Sequence, residues 1–279
     1  MVESAKELRK ICYKGSAKRR PLYMELFTMK ISIYITKLFL YTPMRANDIT
    51  ILMVLLVFLG SGMMAFGSIW MMFFGITMIH LTIFLDNVDG EISRYYKEGS
   101  LTGIFLEEFY HSLSIPFIFF SFGYGIYNQT GNGIPIIFGF LSAIFASPVV
   151  LTSIKTAVVK EAMDRFGKKE ELIPKKYLIH EKKIDVRGGD TSIGKRLYIS
   201  YEGVKEMLGF PMNIVYIHII IFIELLNYYY SFMPPYVLSF VYMMIYGTIS
   251  VLRQLISFIV HYKGKTVFHY YNAMFGKNK

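Results

Sequence analysis

Long apolar stretches separated by short polar ones dominate this chain of 279 residues. Six of the stretches have about the ~20 residues that a helix needs to cross the hydrocarbon core of a bilayer. The pattern therefore predicts an all-α integral membrane protein with six transmembrane helices. Their approximate bounds are Asp48 to Gly67, Ser68 to Leu85, Leu101 to Tyr127, Ile134 to Ile154, Met212 to Tyr230 and Pro235 to Tyr262.

A different pattern precedes the first span. The segment LYMELFTMKISIYITKLFLYT is apolar but is interrupted by Glu25, Lys30 and Lys37. Charges at that frequency do not suit a span and are typical of an amphipathic helix lying in the membrane interface. We therefore expect residues 1–45 to form a cytosolic N-terminus with an interfacial helix. Residues 46–279 are then the six-span membrane domain, with a basic cytosolic loop at about 155–210.

Positive charge is concentrated in blocks between the apolar stretches. The net charge is +10, yet no Lys or Arg occurs from Ala46 to Ile92, from Glu98 to Ile154 or from Glu206 to Leu252. A nucleic-acid-binding protein would show a basic face instead, so we expect no nucleic-acid partner. The positive-inside rule assigns the basic blocks to the cytosol. Six spans put both termini on the same side, and the basic blocks assign that side to the cytosol. The plasma membrane is the expected location.

The charges most costly to place beside apolar spans lie between Asp86 and His111, in the stretch DNVDGEISRYYKEGSLTGIFLEEFYH. Asp86, Asp89 and Ser93 are spaced i, i+3, i+7, so they share one face of a helix. Ionisable groups inside membrane segments are expensive and indicate a functional site. We expect this face to line such a site.

The second half of the same stretch adds a matching face. Gly103, Glu107 and His111 are spaced i, i+4, i+8 on the next helix. A short polar link around Lys97 to Ser100 joins the two helices. The resulting hairpin turns three carboxylates and one imidazole toward a common space on the cytosolic side.

The residue types in this hairpin favour phosphate chemistry. Carboxylate oxygens suit Mg²⁺, Mn²⁺ or Ca²⁺, and magnesium usually bridges a phosphate to one or two carboxylates. Gly90 lets a ligand approach the helix, and Arg94 supplies a guanidinium that pairs with phosphate. His111 titrates near neutral pH and can take a proton from a hydroxyl. These groups indicate phosphoryl-type transfer at the membrane surface; a buried polar network is the competing interpretation.

The stretch resembles the signature of the CDP-alcohol phosphotransferases, whose pattern is D-x2-D-G-x2-A-R-x8 or x9-G-x3-D-x3-D. Asp86, Asp89, Gly90, Arg94 and Gly103 match it at the expected spacing. The interfacial helix and the six spans also fit that family. The signature is long and specific, whereas the similarity outside it is weak.

Three positions depart from the pattern. Ser93 replaces the small Ala, Glu107 stands at the third Asp, and His111 stands at the fourth. An imidazole removes one negative charge there, so we expect one tightly held metal with His111 as the base. Upstream, the segment TPMRANDIT with Asn47 and Thr50 is similar to the family's entry to its first span.

The resemblance implies a metal-dependent enzyme that transfers a phospho-alcohol group from a CDP-linked donor to an alcohol acceptor and releases CMP, in phospholipid or lipid-linked head-group synthesis. It implies catalytic roles for His111 and Glu107. The implied ligands of Mg²⁺ or Mn²⁺ are Asp86, Asp89, Glu107 and His111. The implied CDP-binding residues are Asn47, Thr50, Asp86, Asp89, Gly90, Ser93, Arg94 and Gly103.

Further partners follow less directly. The site opens at the bilayer, so at least one substrate should be a lipid, as donor or as acceptor. The family's frequent homodimers imply a homodimer here. The alternatives are a catalytically degenerate family member, or a membrane transporter or scaffold that binds a nucleotide-linked lipid. Four basic residues are weaker candidates for an acceptor or lipid phosphate, because the positive-inside rule already accounts for them: Lys155, Lys160, Arg165 and Arg253.

Overall fold

A computed structural model describes residues 2–13, 23–146 and 208–263 of the chain. All regular structure within these ranges is helical, and no strand occurs in them. A π-helical turn, Met24–Thr28, runs directly into the second α-helix. The α-helices are α1 Ala5–Tyr13, α2 Met29–Phe39, α3 Ala46–Ala65, α4 Ile69–Tyr96, α5 Leu101–Thr130, α6 Ile134–Phe145, α7 Met212–Tyr230 and α8 Val237–Lys263.

Four of these helices are long and apolar enough to cross a membrane: α3, α4, α7 and the Val237–Ile259 part of α8. They fit an integral membrane protein. The predicted third and fourth spans are helices as well, α5 and α6. However, α5 carries Glu107, Glu108 and His111, and α6 has only 12 residues within the described range. That α5 and α6 also cross the membrane stays a prediction, and nearly all of the loop predicted at about 155–210 lies outside the described residues.

The helix α4 is the central element of the fold. It packs against α3, α7, α2 and α1, while α5 packs against α3 and α6. The largest apolar core joins α4 to α5, α7 and α8. At 28 residues, α4 extends for about 42 Å, which exceeds a hydrocarbon core of ~30 Å. Its last turns therefore reach beyond that core and carry polar residues.

Two glycines bring α3 and α4 into close contact. A Cβ on Gly60 would lie 2.6 Å from the carbonyl oxygen of Gly75, and a Cβ on Gly75 would lie 2.4 Å from that of Gly60. Small residues allow such close approach between membrane helices. This crossing fixes the separation of the two helices at one end, and the start of α3 and the end of α4 form the candidate site.

The segment before α3 packs lengthwise along α4. The Tyr23 hydroxyl lies 2.8 Å from Nε2 of His80. Farther along both helices, Asn87 donates a hydrogen bond of 3.1 Å to the Thr28 hydroxyl oxygen. The contacts continue to Glu91, about 16 Å beyond His80 at ~1.5 Å per residue. The π-helical turn and α2 therefore pack along the second half of α4 instead of crossing it at a single turn.

The carboxylate of Glu91 is fully buried and is held by the N-terminal segment. Ser32 and Thr36 each donate a hydrogen bond of 2.5 Å to it, and the Tyr13 hydroxyl donates another. The Cys12 thiol donates to the Glu91 carbonyl oxygen at 3.4 Å. Burial and the nearby Glu91 charge raise the pKa of Cys12 to about 11. Helices α1 and α2 are thus fastened to α4 through one acidic residue.

A second buried carboxylate has a structural role at the opposite end of the molecule. Glu224 of α7 accepts hydrogen bonds from the backbone N–H groups of Tyr236 and Leu238, both at 2.9 Å, and of Ser239 at 3.3 Å. The first N–H groups of a helix have no partner within the helix. Glu224 therefore caps the start of α8.

We predict that Gly60→Ala destabilises the protein by about 1–3 kcal/mol, because the new methyl group forces α3 and α4 apart. Gly62→Ala is the matched control in the same helix, since a Cβ there meets no atom within 4 Å. It should be neutral, or stabilising by up to ~1 kcal/mol through helix propensity. Thermal unfolding of both variants in one detergent measures the difference. Equal shifts in the two midpoints would contradict the observed crossing.

Candidate functional site

A four-residue turn sets the geometry between α4 and α5. Lys97 ends α4 in the left-handed conformation, with φ at 56°. The Ser93 hydroxyl donates to the Glu98 carbonyl, and the Glu98 N–H donates to the Ser93 carbonyl at 2.9 Å. Ser100 caps α5 by accepting a 2.9 Å hydrogen bond from the Gly103 N–H. Ser93, expected at the nucleotide, thus uses its hydroxyl in the turn.

The turn brings Asp86 of α4 opposite His111 of α5. Oδ1 of Asp86 lies 3.6 Å from Nε2 of His111, and the two side chains are 16% and 31% exposed. This separation exceeds an ordinary hydrogen bond, so the contact is electrostatic. The charges of Glu107 and Glu108 also reach His111. The imidazole therefore lies in a negative environment and is still accessible.

Asp89 lies one turn farther along α4 and faces α3. Its Oδ2 is 3.0 Å from the Thr50 hydroxyl oxygen. The negative charges of Asp86 and Glu107 both act on Asp89. Thr50 is itself buried near the start of α3. Three helices therefore contribute side chains to one acidic cluster.

At two glycines, Gly103 and Gly90, a polar side chain of the candidate site lies directly against the helix backbone. A Cβ on Gly103 would lie 3.1 Å from Oδ1 of Asn47, so the start of α3 meets the start of α5 there. A Cβ on Gly90 would lie 3.0 Å from Nη1 of Arg94. The Arg94 guanidinium also stands over the ring of Tyr13, 5.7 Å from its centroid. The absence of side chains at both glycines makes these arrangements possible.

Most of the predicted site residues thus lie where α3, α4 and α5 meet. Glu107 is exposed on α5, with its charge reaching the cluster. The guanidinium of Arg253 donates a 2.6 Å hydrogen bond to the Ala146 carbonyl and so caps the end of α6. Lys155, Lys160 and Arg165 lie outside the described residues. Contacts at the junction join His111 to Asp86, Thr50 to Asp89 and Asn47 to Gly103. Arg94 lies farther along α4, beside Gly90 and over the Tyr13 ring.

Two aromatic residues that the sequence pattern did not indicate, Phe210 and Tyr110, pack beside His111. The ring of Phe210, just before α7, lies 5.3 Å from the imidazole, edge to face at 76°. The Tyr110 ring is 5.0 Å away, and its hydroxyl lies 2.8 Å from that of Thr82. No local sequence pattern predicts that Phe210 is a site residue, because it is far from His111 in the sequence and follows the long loop.

A pair of histidines, His80 and His218, lies apart from this site. His80 is nearly two turns before Asp86 along α4. Nδ1 of His80 is 2.9 Å from Nδ1 of His218 in α7, while the other nitrogen of His80 contacts Tyr23. The sequence spacing placed His218 in a span but gave no partner for it. These imidazoles join α4, α7 and the N-terminal segment, and they are not in contact with the acidic cluster.

Comparison with known proteins adds no relative: no protein-family model and no curated protein matches the chain. What the site can do therefore follows from its side chains and their placement. Among the described residues, no group of three or more His, Cys, Asp or Glu side chains is arranged to hold a metal ion. The cluster instead combines carboxylates and an imidazole from neighbouring helices with an exposed guanidinium nearby.

We predict opposite stability effects for two neutralising substitutions on α4. Asp89→Asn keeps an acceptor for Thr50 and removes a carboxyl group that is costly to bury beside Asp86 and Glu107, so it should stabilise the protein by about 0.5–2 kcal/mol. Glu91→Gln replaces one of the two acceptor oxygens with an NH2 donor and leaves a buried hydroxyl group without its acceptor, so it should cost about 1–3 kcal/mol. Thermal unfolding at neutral pH compares the two. A loss of stability in Asp89→Asn would argue that Asp89 is structural.

Proposed function

We propose that this chain transfers a phospho-alcohol group from a CDP-linked donor to an alcohol acceptor and releases CMP. The main support is the meeting of the signature residues Asp86, Asp89 and His111 at the junction of α3, α4 and α5. Arg94 and Gly90 lie on the adjoining turn of α4. Asn47 and Thr50, separate from the signature in sequence, contact the same group. The arrangement joins acid and base in one place, and the Arg94 cation lies about two turns beyond Asp86 on the same helix.

The donor set fits a Mg²⁺ or Mn²⁺ ion that is shared with the substrate. Magnesium is usually bound by one or two carboxylates together with substrate phosphates, not by an all-protein cage. Asp86 and Asp89 would supply those carboxylates, with Glu107 and His111 as further candidate ligands. When bound, such an ion offsets the charge that develops on the transferring phosphoryl group.

The protein's own groups have separate roles in the proposed reaction. The acceptor oxygen forms a bond to the phosphorus distal to cytidine, and the bond from that phosphorus to the CMP oxygen breaks. The leaving CMP keeps the electron pair, and Nε2 of His111 takes the acceptor's hydroxyl proton. Asp86, 3.6 Å away, stabilises the imidazolium that forms. Arg94 pairs with the donor diphosphate.

The membrane setting belongs to the same proposal. Asp86 lies about 26 Å along α4 from Ile69, near the far side of a ~30 Å hydrocarbon core. A transport path would favour charges near the middle of the bilayer. We place the site at the cytosolic face of a six-span plasma-membrane protein that acts as a homodimer, with an interfacial N-terminal segment. At least one substrate is then a lipid.

We predict metal-dependent CMP release when the purified protein is given CDP-alcohols in detergent with Mg²⁺ or Mn²⁺. The panel should pair lipid donors with water-soluble alcohols, and soluble donors with lipid alcohols. Mass spectrometry of the products then identifies which substrate is the lipid. Absence of metal-dependent CMP from every pair would refute the proposed activity.

Replacing the proposed base gives a second prediction. His111→Ala should lower turnover by about 10²–10⁴-fold, the usual contribution of a general base, while donor binding changes little. His111→Asp restores a carboxylate base and should recover part of the rate. His218→Asn is the matched control, since that histidine contacts His80 and not the acidic cluster. Full activity in His111→Ala would remove its role as the base.

A further inference from the structure

The cation of the proposed site is exposed and needs support to act in one position. Arg94 lies in the last turn of α4, and its guanidinium rests on the backbone of Gly90. An exposed arginine has many rotamers, and binding a phosphate requires that most of them be given up. A neighbouring group that restricts Arg94 beforehand would strengthen binding of an anionic ligand.

Tyr13 is placed to provide that restriction. Its ring centroid lies 5.7 Å from Cζ of Arg94, within the ~6 Å range of a cation–π contact. Its hydroxyl donates to Glu91, which is fully buried. The ring cannot turn away without removing a donor from a buried carboxylate, which is costly. The hydrogen bond to Glu91 therefore fixes the Tyr13 side chain, while the face of its ring contacts the Arg94 guanidinium.

The helix that carries Tyr13 is itself fixed to the protein. Leu8 and Cys12 are buried against Ile33 of α2. Tyr95 near the end of α4 donates a 2.7 Å hydrogen bond to Glu3. These contacts are made by residues other than Tyr13, and none of them is a predicted site residue. They provide controls for the docking of α1 as such.

We propose that Tyr13 is a positioning residue that holds Arg94 for the diphosphate of the nucleotide donor, so that the N-terminal helix α1 completes the donor site. The proposal rests on the proposed function. It assigns Tyr13 no contact with the reacting atoms. The effect of Tyr13 on CDP binding should consequently depend on the presence of Arg94.

The test measures the Kd of CDP by calorimetry, with the full-length protein in detergent and Mg²⁺ present. Tyr13→Leu should raise the Kd about two- to fivefold, the factor expected for an exposed cation–π contact. Tyr13→Phe keeps the aromatic face and should have a smaller effect. In an Arg94→Ala background, Tyr13→Leu should cause no further change, because the contact it removes is already gone.

Two controls separate positioning from general loosening of α1. Tyr95→Phe removes the tie to Glu3 but leaves the Arg94 contact, so CDP affinity should be unchanged. Cys12 is the chain's single cysteine, and its burial makes it a reporter of α1 docking. Its reaction with a thiol reagent should stay slow in Tyr13→Leu. Labelling as fast as in the denatured chain would overturn the proposal, since α1 would then have detached.

The double-mutant cycle of Tyr13→Leu and Arg94→Ala decides between the remaining outcomes. An unchanged Kd in Tyr13→Leu, or an equal rise with and without Arg94, would overturn the role of Tyr13 and leave the proposed function intact. If the wild-type protein binds no CDP, the proposed function itself fails, and the role of Tyr13 fails with it. The two failures are therefore distinguishable in one set of measurements.

Discussion

A carboxylate along a membrane helix must find donors, a counter-charge or a ligand, because hydrocarbon supplies none of them. Helix α4 carries three such groups within six residues: Asp86, Asp89 and Glu91. Glu91 turns toward the N-terminal segment and receives three hydroxyl groups. Asp86 and Asp89 turn toward α3 and α5, where they meet an imidazole and each other's charge. The described structure is arranged around this division of α4 into two polar faces.

The division explains why the N-terminal segment follows α4 lengthwise. Thr28, Ser32 and Thr36 recur at intervals of four, so they form a polar stripe on one helix face. Asn87 and Glu91 form the matching stripe on α4 and are buried against it. A helix lying flat across a span would touch it over a turn or two. The contacts here extend from His80 to Glu91, so the segment is part of the packed structure. That it lies in the membrane interface stays a prediction.

Hydrophobic patterning was enough to locate helices α2 to α8 and the polar hairpin, because both depend on local spacing. The turn after α4 and the meeting of Asp86 with His111 follow from two periodicities and a short link. Helix α1 was not predicted, although Ser4 and Glu7 form a capping box whose backbone hydrogen bond is 2.9 Å. That signal was available within the polar N-terminus.

Contacts between distant segments could not be predicted in this way. The pairing of His80 with His218 and the packing of Phe210 on His111 depend on which helices become neighbours. Periodicity gives the direction of a side chain on its own helix but not the identity of the helix it meets. Candidate residues whose partners lie in another helix therefore needed the structure. Ser93 shows the same limit, because a correct face on α4 did not reveal that its hydroxyl closes the turn.

The donors around each acidic residue distinguish structural carboxylates from those proposed to act on a ligand. Glu91 accepts from three hydroxyl groups and Glu224 from three backbone N–H groups, so the fold itself supplies their stabilisation. Asp89 instead shares its surroundings with the charges of Asp86 and Glu107. A carboxylate buried beside like charges is costly, and either a proton or a cationic ligand would relieve that cost. The same helix thus carries a carboxylate that anchors the N-terminal segment and, two residues earlier, one that we propose as a metal ligand.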